Sequence, residues 1–207
     1  MTTIRAVAPA ESAQAVNLVA TAMPTIPLFS WVLGSGIDDA ELRHWFADLF
    51  LTPVIELGRV VGAFDNDRLI GLVAFRDPDD PAGAPLDDAE RDRHLAMAMS
   101  VPGLAQRLAA MVTGSVVVAP ADDAVNVFVA AVEPEARRGG ILWDLMRPVE
   151  DHCRERDRPF YVWTGNPDFR DGWIARWGLE LFSTVPLGDG EIYGLQSDRP
   201  PRRRSDA

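Results

Sequence analysis

The spacing of apolar and polar residues changes several times along the chain, and each change marks an element. Thr3 to Ala6 reads as a short strand. Over 11–23, Ala15, Val16, Val19, Ala22 and Met23 recur at helical spacing. The next stretch, PTIPLFSWVLG, is punctuated by proline and carries Phe29 and Trp31. In DDAELRHWFADLFLTPVIELG, the residues Leu42, Trp45, Phe46, Leu49 and Phe50 form one apolar helix face, and Asp38 and Asp39 suit its first turn.

Residues 59–64 and 69–75 are rich in β-formers, and Asp65 to Arg68, with Asn66 inside, joins them as a hairpin. An acidic, proline-rich loop at 77–87 precedes helical segments at 88–99 and 103–114, broken at Val101-Pro102-Gly103. A loop at 119–123 leads into the strongest strand, 125–134, and a glycine-containing turn then opens a helix at 140–156. A strand at 159–164 and a helix ending near Gly178 follow. Strands at 179–185 and 191–196, joined by Leu187-Gly188-Asp189-Gly190, close the chain. A strand, a helix and a strand in succession predict a parallel pair, whereas the hairpins predict antiparallel ones. The fold class is therefore α/β: a mixed sheet with helices on both faces.

Composition narrows the function. The 207 residues suit one domain, read as 1–197, with a disordered Arg/Pro tail at 198–207. No apolar run approaches the ~20 residues of a membrane span, and the N-terminus lacks a signal-peptide pattern. A single cysteine, Cys153, excludes an intrachain disulfide and a thiolate metal cage, and points to a reducing cytoplasm. The three histidines, His44, His94 and His152, fall in separate helices without ligand spacing, so no metal is expected. The net charge of −11 argues against nucleic acid and anionic membrane as partners. All 20 basic residues are arginine, which excludes lysine Schiff-base and P-loop chemistry and suggests a GC-rich bacterial genome.

The candidate chemistry lies at Val132-Glu133-Pro134-Glu135-Ala136-Arg137-Arg138-Gly139-Gly140-Ile141-Leu142, between a strand and a helix. A helix start offers unpaired N–H groups and the positive end of a dipole. Glycine lets backbone approach an anion, and arginine adds donors, so a diphosphate would sit well there. A glycine turn with solvated arginines is the plainer alternative.

The order of segments resembles the GNAT superfamily of CoA-dependent N-acyltransferases over nearly the whole chain. Val132, Pro134, Arg137 and Gly140 fit the family pattern at the right spacing. Leu145, Met146 and Pro148, with Thr164-Gly165-Asn166-Pro167, resemble the subgroup of puromycin N-acetyltransferase. The run Trp173-Ile174-Ala175-Arg176-Trp177-Gly178-Leu179 is similar to that family's F-Y-E-R-L-G-F. The resemblance implies acetyl-CoA or another acyl-CoA as acyl donor and a small-molecule amine as acceptor; a homodimer is compatible with it. The pantetheine arm would pair with the backbone near Ala130 and Val132. The diphosphate would rest on Arg137, Arg138, Gly139, Gly140, Ile141 and Leu142, and Asn166 would hydrogen-bond the arm. Phe29, Trp31 and Trp173 would line an apolar acceptor pocket.

Three positions depart from the pattern. Leu142 replaces a small residue, and its side chain would crowd the diphosphate or turn it aside. Arg138-Gly139 reverses the usual Gly-Arg order. The usual tyrosine acid aligns with Ile174, and the two tyrosines, Tyr161 and Tyr193, both fall in strands. The catalytic residues are therefore unassigned. Two readings follow: an acyltransferase with another proton source, or a cleft that has lost acetyl transfer and serves ligand binding, partner binding or other biosynthetic chemistry.

Overall fold

The computed structural model describes residues 2–81, 87–113 and 116–202. Its strands are β1 (Thr2–Ala6), β2 (Val60–Asp65), β3 (Arg68–Arg76), β4 (Val125–Val132), β5 (Phe160–Thr164), β6 (Glu180–Leu187) and β7 (Gly190–Gln196). They form one sheet in the order β1-β2-β3-β4-β5-β7-β6. Only β4 and β5 run parallel; the other neighbours are antiparallel. The β2–β3 hairpin closes at Asp65–Arg68 with Asn66 at φ 54°, a left-handed position that asparagine tolerates.

The helices are α1 (Ser12–Ala22), α2 (Pro27–Leu33), α3 (Ala40–Glu56), α4 (Asp88–Met99), α5 (Leu104–Val112), α6 (Ile141–Glu155) and α7 (Pro167–Trp177). Strand alternation splits the core in two. Val60, Phe64, Leu72, Ala74, Val129 and Ala131 meet the buried sides of α1, α2, α3 and α5. Val61, Ala63, Val73, Phe75, Val125 and Val127 meet α6 and α7 on the opposite face. The mixed sheet with helices on both faces is thus present. No single helix among the described residues is long and apolar enough to cross a membrane.

Local chemistry sets the helix ends. Asp39 caps α3, accepting from Glu41 N–H at 2.9 Å and Leu42 N–H at 3.2 Å, while Asp38 stays outside the helix. Within the proline-punctuated stretch, Pro27 opens α2: its fixed φ suits a first helical position, where no N–H is needed. Seven residues are too short a run for hydrophobic spacing alone to announce this helix. Pro134 ends the strong strand at Val132 and begins a 3₁₀ turn instead.

The acidic loop departs from a solvated run at its start. Asp77 is 4% exposed. It accepts from Asp79 N–H at 2.9 Å, lies 2.7 Å from His152 Nε2, and is paired with Arg158. Asp80 pairs with Arg59 at 2.7 Å. Arginines distant in sequence supply the compensation that burial of these carboxylates requires. Of the expected loop, 82–86 lie outside the described residues. In the tail expected to be disordered over 198–207, Arg199 donates to Asp123 at 2.6 and 2.7 Å, and 203–207 lie outside the described residues.

Cys153 is buried among α6 residues, and desolvation pushes its thiol up to about 12, which leaves it unreactive at neutral pH. For Asp77, burial opposes ionisation, but the Asp79 N–H, His152 and Arg158 outweigh it and hold the carboxyl below its ordinary value. A depressed carboxyl stabilises the fold above its unfolded value near 4 and loses that contribution as pH falls through the folded value. Asp77→Ala is therefore expected to cost about 3 kcal/mol in urea unfolding at pH 7. The difference from wild type should shrink below about pH 4.

Candidate functional site

The parallel pair is short. Val125, Asn126 and Val127 pair with Phe160, Tyr161 and Val162, and the two strands then part. Each strand keeps its other neighbour: β4 continues beside β3 to Val132, and β5 stays beside β7 to Thr164. The cause lies at Phe128. Ala74 faces Val129 and Phe75 faces Val127, so Phe128 is the extra residue of a β-bulge.

The bulge reverses the alternation of β4. Before it, Val125 and Val127 point to the α6–α7 face; after it, Val129 and Ala131 point to the α1–α3 face. The backbone follows. Val125 N–H reaches Pro159 O at 2.9 Å on the β5 side, whereas Glu133 N–H reaches Ile70 O at 2.9 Å on the β3 side. Strand alternation then turns the N–H and C=O of Ala130 and Val132 toward the gap that β5 has left. The gap is a cleft of about 370 Å³ that passes from one face of the sheet to the other.

The turn after β4 forms one wall. Residues Pro134–Gly139 make a 3₁₀ turn, and Gly140, at φ 72°, redirects the chain into α6. A side chain at this φ would be strained, so the glycine is required by the backbone. Trp143 N–H and Asp144 N–H return to Gly140 O at 2.9 and 3.4 Å. The N–H groups of Ile141 and Leu142 are those a helix start leaves without an intrahelical acceptor. Arg137 folds back so that its Nε donates to Val132 O at 3.0 Å. Glu133 turns away and pairs with Arg68 at 2.8 Å.

The β5 end forms the other wall. Asn166 Oδ1 caps α7, accepting from Asp168 N–H at 2.9 Å and Phe169 N–H at 3.3 Å, which leaves its amide NH₂ as the donor toward the cleft. Gly165 lies under α2: a Cβ there would stand 2.7 Å from Pro27 Cβ. From α7, Phe169 and Trp173 reach the cleft. Behind them Trp173 lies 4.8 Å from Trp177 and 5.9 Å from Trp143, centroid to centroid. Trp177 Nε1 donates to the buried Glu150 at 2.8 Å.

The structure therefore brings together Ala130, Val132, Arg137, Gly140, Leu142, Asn166, Phe29 and Trp173 of the expected set. Ile141 instead packs against the core of the α6–α7 face. Trp31 packs on the opposite core, beside the β6–β7 turn near Gly188, and does not line the cleft. Arg138 and Gly139 share the turn by backbone, and the Arg138 side chain lies outside what is described. The lining residues that were not on the expected list include Phe128, Trp143 and Trp163. Trp143 is conspicuous as a bulky residue beside a helix start, but no sequence signal marks the bulge at Phe128.

Proton carriers are sparse. Among the described lining residues there is no Tyr, His, Asp or Glu. Ile174 packs into the core. Tyr161 is buried, which raises its phenol further from neutral pH, and Tyr193 OH donates to Glu191 at 3.3 Å. His44 lies beside Asn17, and His94 Nδ1 accepts from Trp45. No cluster of three or more His, Cys, Asp or Glu side chains suited to a metal ion occurs among the described residues. The site can offer backbone donors, one guanidinium and dry aromatic walls.

No family model matches the chain, and neither does any curated protein sequence. Solved structures do match its fold. A Corynebacterium glutamicum histone acetyltransferase HPA2 and related acetyltransferase superposes with a TM-score of 0.67 at 14% identity, covering 99% of both chains. A Drosophila melanogaster polyamine N-acetyltransferase gives 0.64 at 15% identity, covering 95% of this chain and 99% of its own. The PaiA N-acetyltransferase of Thermoplasma acidophilum, solved with coenzyme A, gives 0.51 at 11% identity over 94% and 98%. The architecture is that of the GNAT acetyltransferases.

Two glycines of the site separate steric from conformational roles. Gly165→Ala should displace α2 and cost about 1–3 kcal/mol of stability. Gly172, inside α7, would place a Cβ 3.6 Å from Trp143, an ordinary contact. Gly172→Ala should therefore be neutral or stabilise by up to about 1 kcal/mol. Thermal unfolding of both variants measures the contrast.

Proposed function

We propose that this protein transfers an acyl group, acetyl in the first instance, from acyl-CoA to the amine of a small molecule. The observation that carries the reading is the opened strand pair: a bulge aims the β4 backbone into a cleft whose upper wall is the start of α6. A pantetheine arm carries amides and can pair with Ala130 and Val132 as an added strand would. The α6 start, with Gly140 and Arg137 beside it, suits a diphosphate. Asn166 adds a donor from the β5 side. The segments Leu145-Met146 and Thr164 to Pro167 extend the reading to enzymes resembling puromycin N-acetyltransferase.

The chemistry this supports is attack of a neutral amine on the thioester carbonyl. The C–N bond forms, the C–S bond breaks, and the electron pair leaves with sulfur. Backbone N–H groups at the bulge would stabilise the oxyanion. The amine proton passes to water and the thiolate is protonated by water, because the described lining residues supply no general acid or base. A thiolate is a tolerable leaving group, and an absent general acid costs about 10²–10⁴ in rate.

Isothermal titration should show acetyl-CoA binding in the micromolar range, with thiol release when an amine is added. Binding without thiol release from a broad amine panel would make the cleft a ligand-binding module; no binding would overturn the reading. Leu142 lines the cleft two residues after Gly140. Leu142→Gly should bind CoA more tightly, and unchanged affinity would remove the crowding argument. The pH profile of kcat/KM should rise to the acceptor's own pKa without the descending limb that an essential protein acid produces.

A further inference from the structure

On the α2 side, opposite the α6 start, the cleft is walled by Ile26, Leu28, Phe29, Phe128, Trp163 and Ile192. Those walls are braced from behind. Phe29 stacks on Phe50 at 5.6 Å and meets Phe46 edge-on at 5.8 Å, and Phe50 meets Phe128 edge-on at 5.8 Å. Trp163 meets Phe182 edge-on at 5.4 Å, and its Nε1 donates to Val118 O at 3.1 Å. Aromatic rings held this way present fixed faces and edges rather than an adaptable surface. The closeness of Pro27 to Gly165 fixes α2 against the end of β5.

Charge distinguishes possible acceptors further. Among the described lining residues the only ionised side chain is Arg137, a cation. Glu191, near the β5 end, receives the Tyr193 hydroxyl, and Arg170 lies over the Tyr193 ring at 4.7 Å. An acceptor with a second ammonium or a guanidinium would bury that charge without a counter-ion. The overall charge of −11 draws any protonated amine toward the chain, so it raises encounter rates without selecting among amines.

From this pocket we infer that the acceptor is a monoamine carrying an aromatic ring on a short alkyl chain, held between Phe29, Phe128 and Trp163. The described lining residues offer no carboxylate to the second charge of a polyamine or a guanidino amine. The inference rests on the acyltransferase reading for its chemistry, but the pocket can be tested without turnover.

The test compares 2-phenylethylamine, spermidine and agmatine with the full chain. With acetyl-CoA present, thiol release should favour 2-phenylethylamine in kcat/KM by tenfold or more, the scale on which apolar pockets discriminate. Trp163→Ala should raise KM for 2-phenylethylamine about tenfold, more than it weakens acetyl-CoA binding in titration; an equal loss of both would overturn the placing of the ring on Trp163. Saturation-transfer NMR of each amine, with desulfo-CoA present and again without it, reads the pocket directly. Signal from the 2-phenylethylamine ring that Trp163→Ala weakens supports the inference even where no thiol is released, and in that case only the acyltransferase reading fails. Equal or greater rates with spermidine or agmatine overturn the inference while leaving acyl transfer intact. So does absence of ring signal in both NMR arms.

Discussion

A sheet can open a gap between neighbouring strands only by leaving backbone N–H and C=O groups without their ladder partners, and each such group buried without compensation costs about 1–3 kcal/mol. Everything distinctive about this protein follows from how that constraint is met between β4 and β5. The strands pair for three residues, from Val125 to Val127, and then each leans toward its other neighbour. The single extra residue at Phe128 makes this possible. It switches which residues of β4 face the side that β5 has left, from Val125 and Val127 to Ala130 and Val132. Arg137 covers one of them, the carbonyl of Val132. Another part of the cleft wall is a helix start, which also carries surplus donors. Two sources of unpaired N–H groups converge on one space, and a ligand rich in acceptors suits it.

The same constraint explains the aromatic residues. A gap through the middle of a sheet must be bounded by side chains that will not collapse into it. Small aliphatic residues would close the space by relaxing inward; fused and braced rings do not. On the α6–α7 face, Trp143, Trp173 and Trp177 form such a brace, fastened to Glu150 through the Trp177 indole. On the other face, Phe29, Phe46, Phe50 and Phe128 do the same. The cleft is therefore bounded by interlocked rings on both sides. At its lower end, beyond β3 and β5, Asp77 ties the start of the acidic loop to His152 of α6 and to Arg158 just before β5. That tie fixes where α6 ends and β5 begins.

Much of this was legible in the residues, and the failures have physical causes. Long periodic segments gave their type and near-correct limits: α3 begins at Ala40, beside the acidic pair that suited its first turn, and the parallel pair follows from one crossover helix. Helix α2 was not legible, because its seven residues are too few for a periodicity and two prolines suggest loop until one of them is seen at a helix start. The bulge left no trace, since VNVFVAAV alternates as well with it as without it; it is defined by register against β3, a long-range property. For the same reason the burial of Asp77 was not legible: its partners His152 and Arg158 are 75 and 81 residues away. Of the three aromatics expected in the acceptor pocket, Phe29 and Trp173 reach the cleft and Trp31 does not. Trp31 and Phe29 sit two apart on one helix, which places them on different sides once the helix is recognised.

The missing tyrosine then takes on a specific meaning. In a cleft with polar walls, removing a general acid would leave water to take its place freely. Here the walls are aromatic, and the only hydroxyls among the described lining residues are those of Thr25 and Thr164. Thr25 donates to Ala22 O at 2.8 Å, and Thr164 Oγ1 accepts from Asn166 N–H at 3.2 Å. Both belong to the scaffold as hydrogen-bond partners, not as titrating groups. In the proposed reaction, apolar walls that slow proton delivery would strengthen the backbone dipoles aimed at a developing oxyanion, because a lower dielectric acts on both. The balance between these two effects sets the rate. Thiolate departure makes the smaller demand on an acid, since an ordinary thiol ionises near pH 8.5. Activation of the amine makes the larger demand, and in the proposed reaction it would be met only by the neutral fraction of the acceptor. In the proposed reaction, a pocket whose described lining holds no carboxylate and an acceptor that attacks as the neutral amine would both follow from one aromatic-walled gap in a sheet.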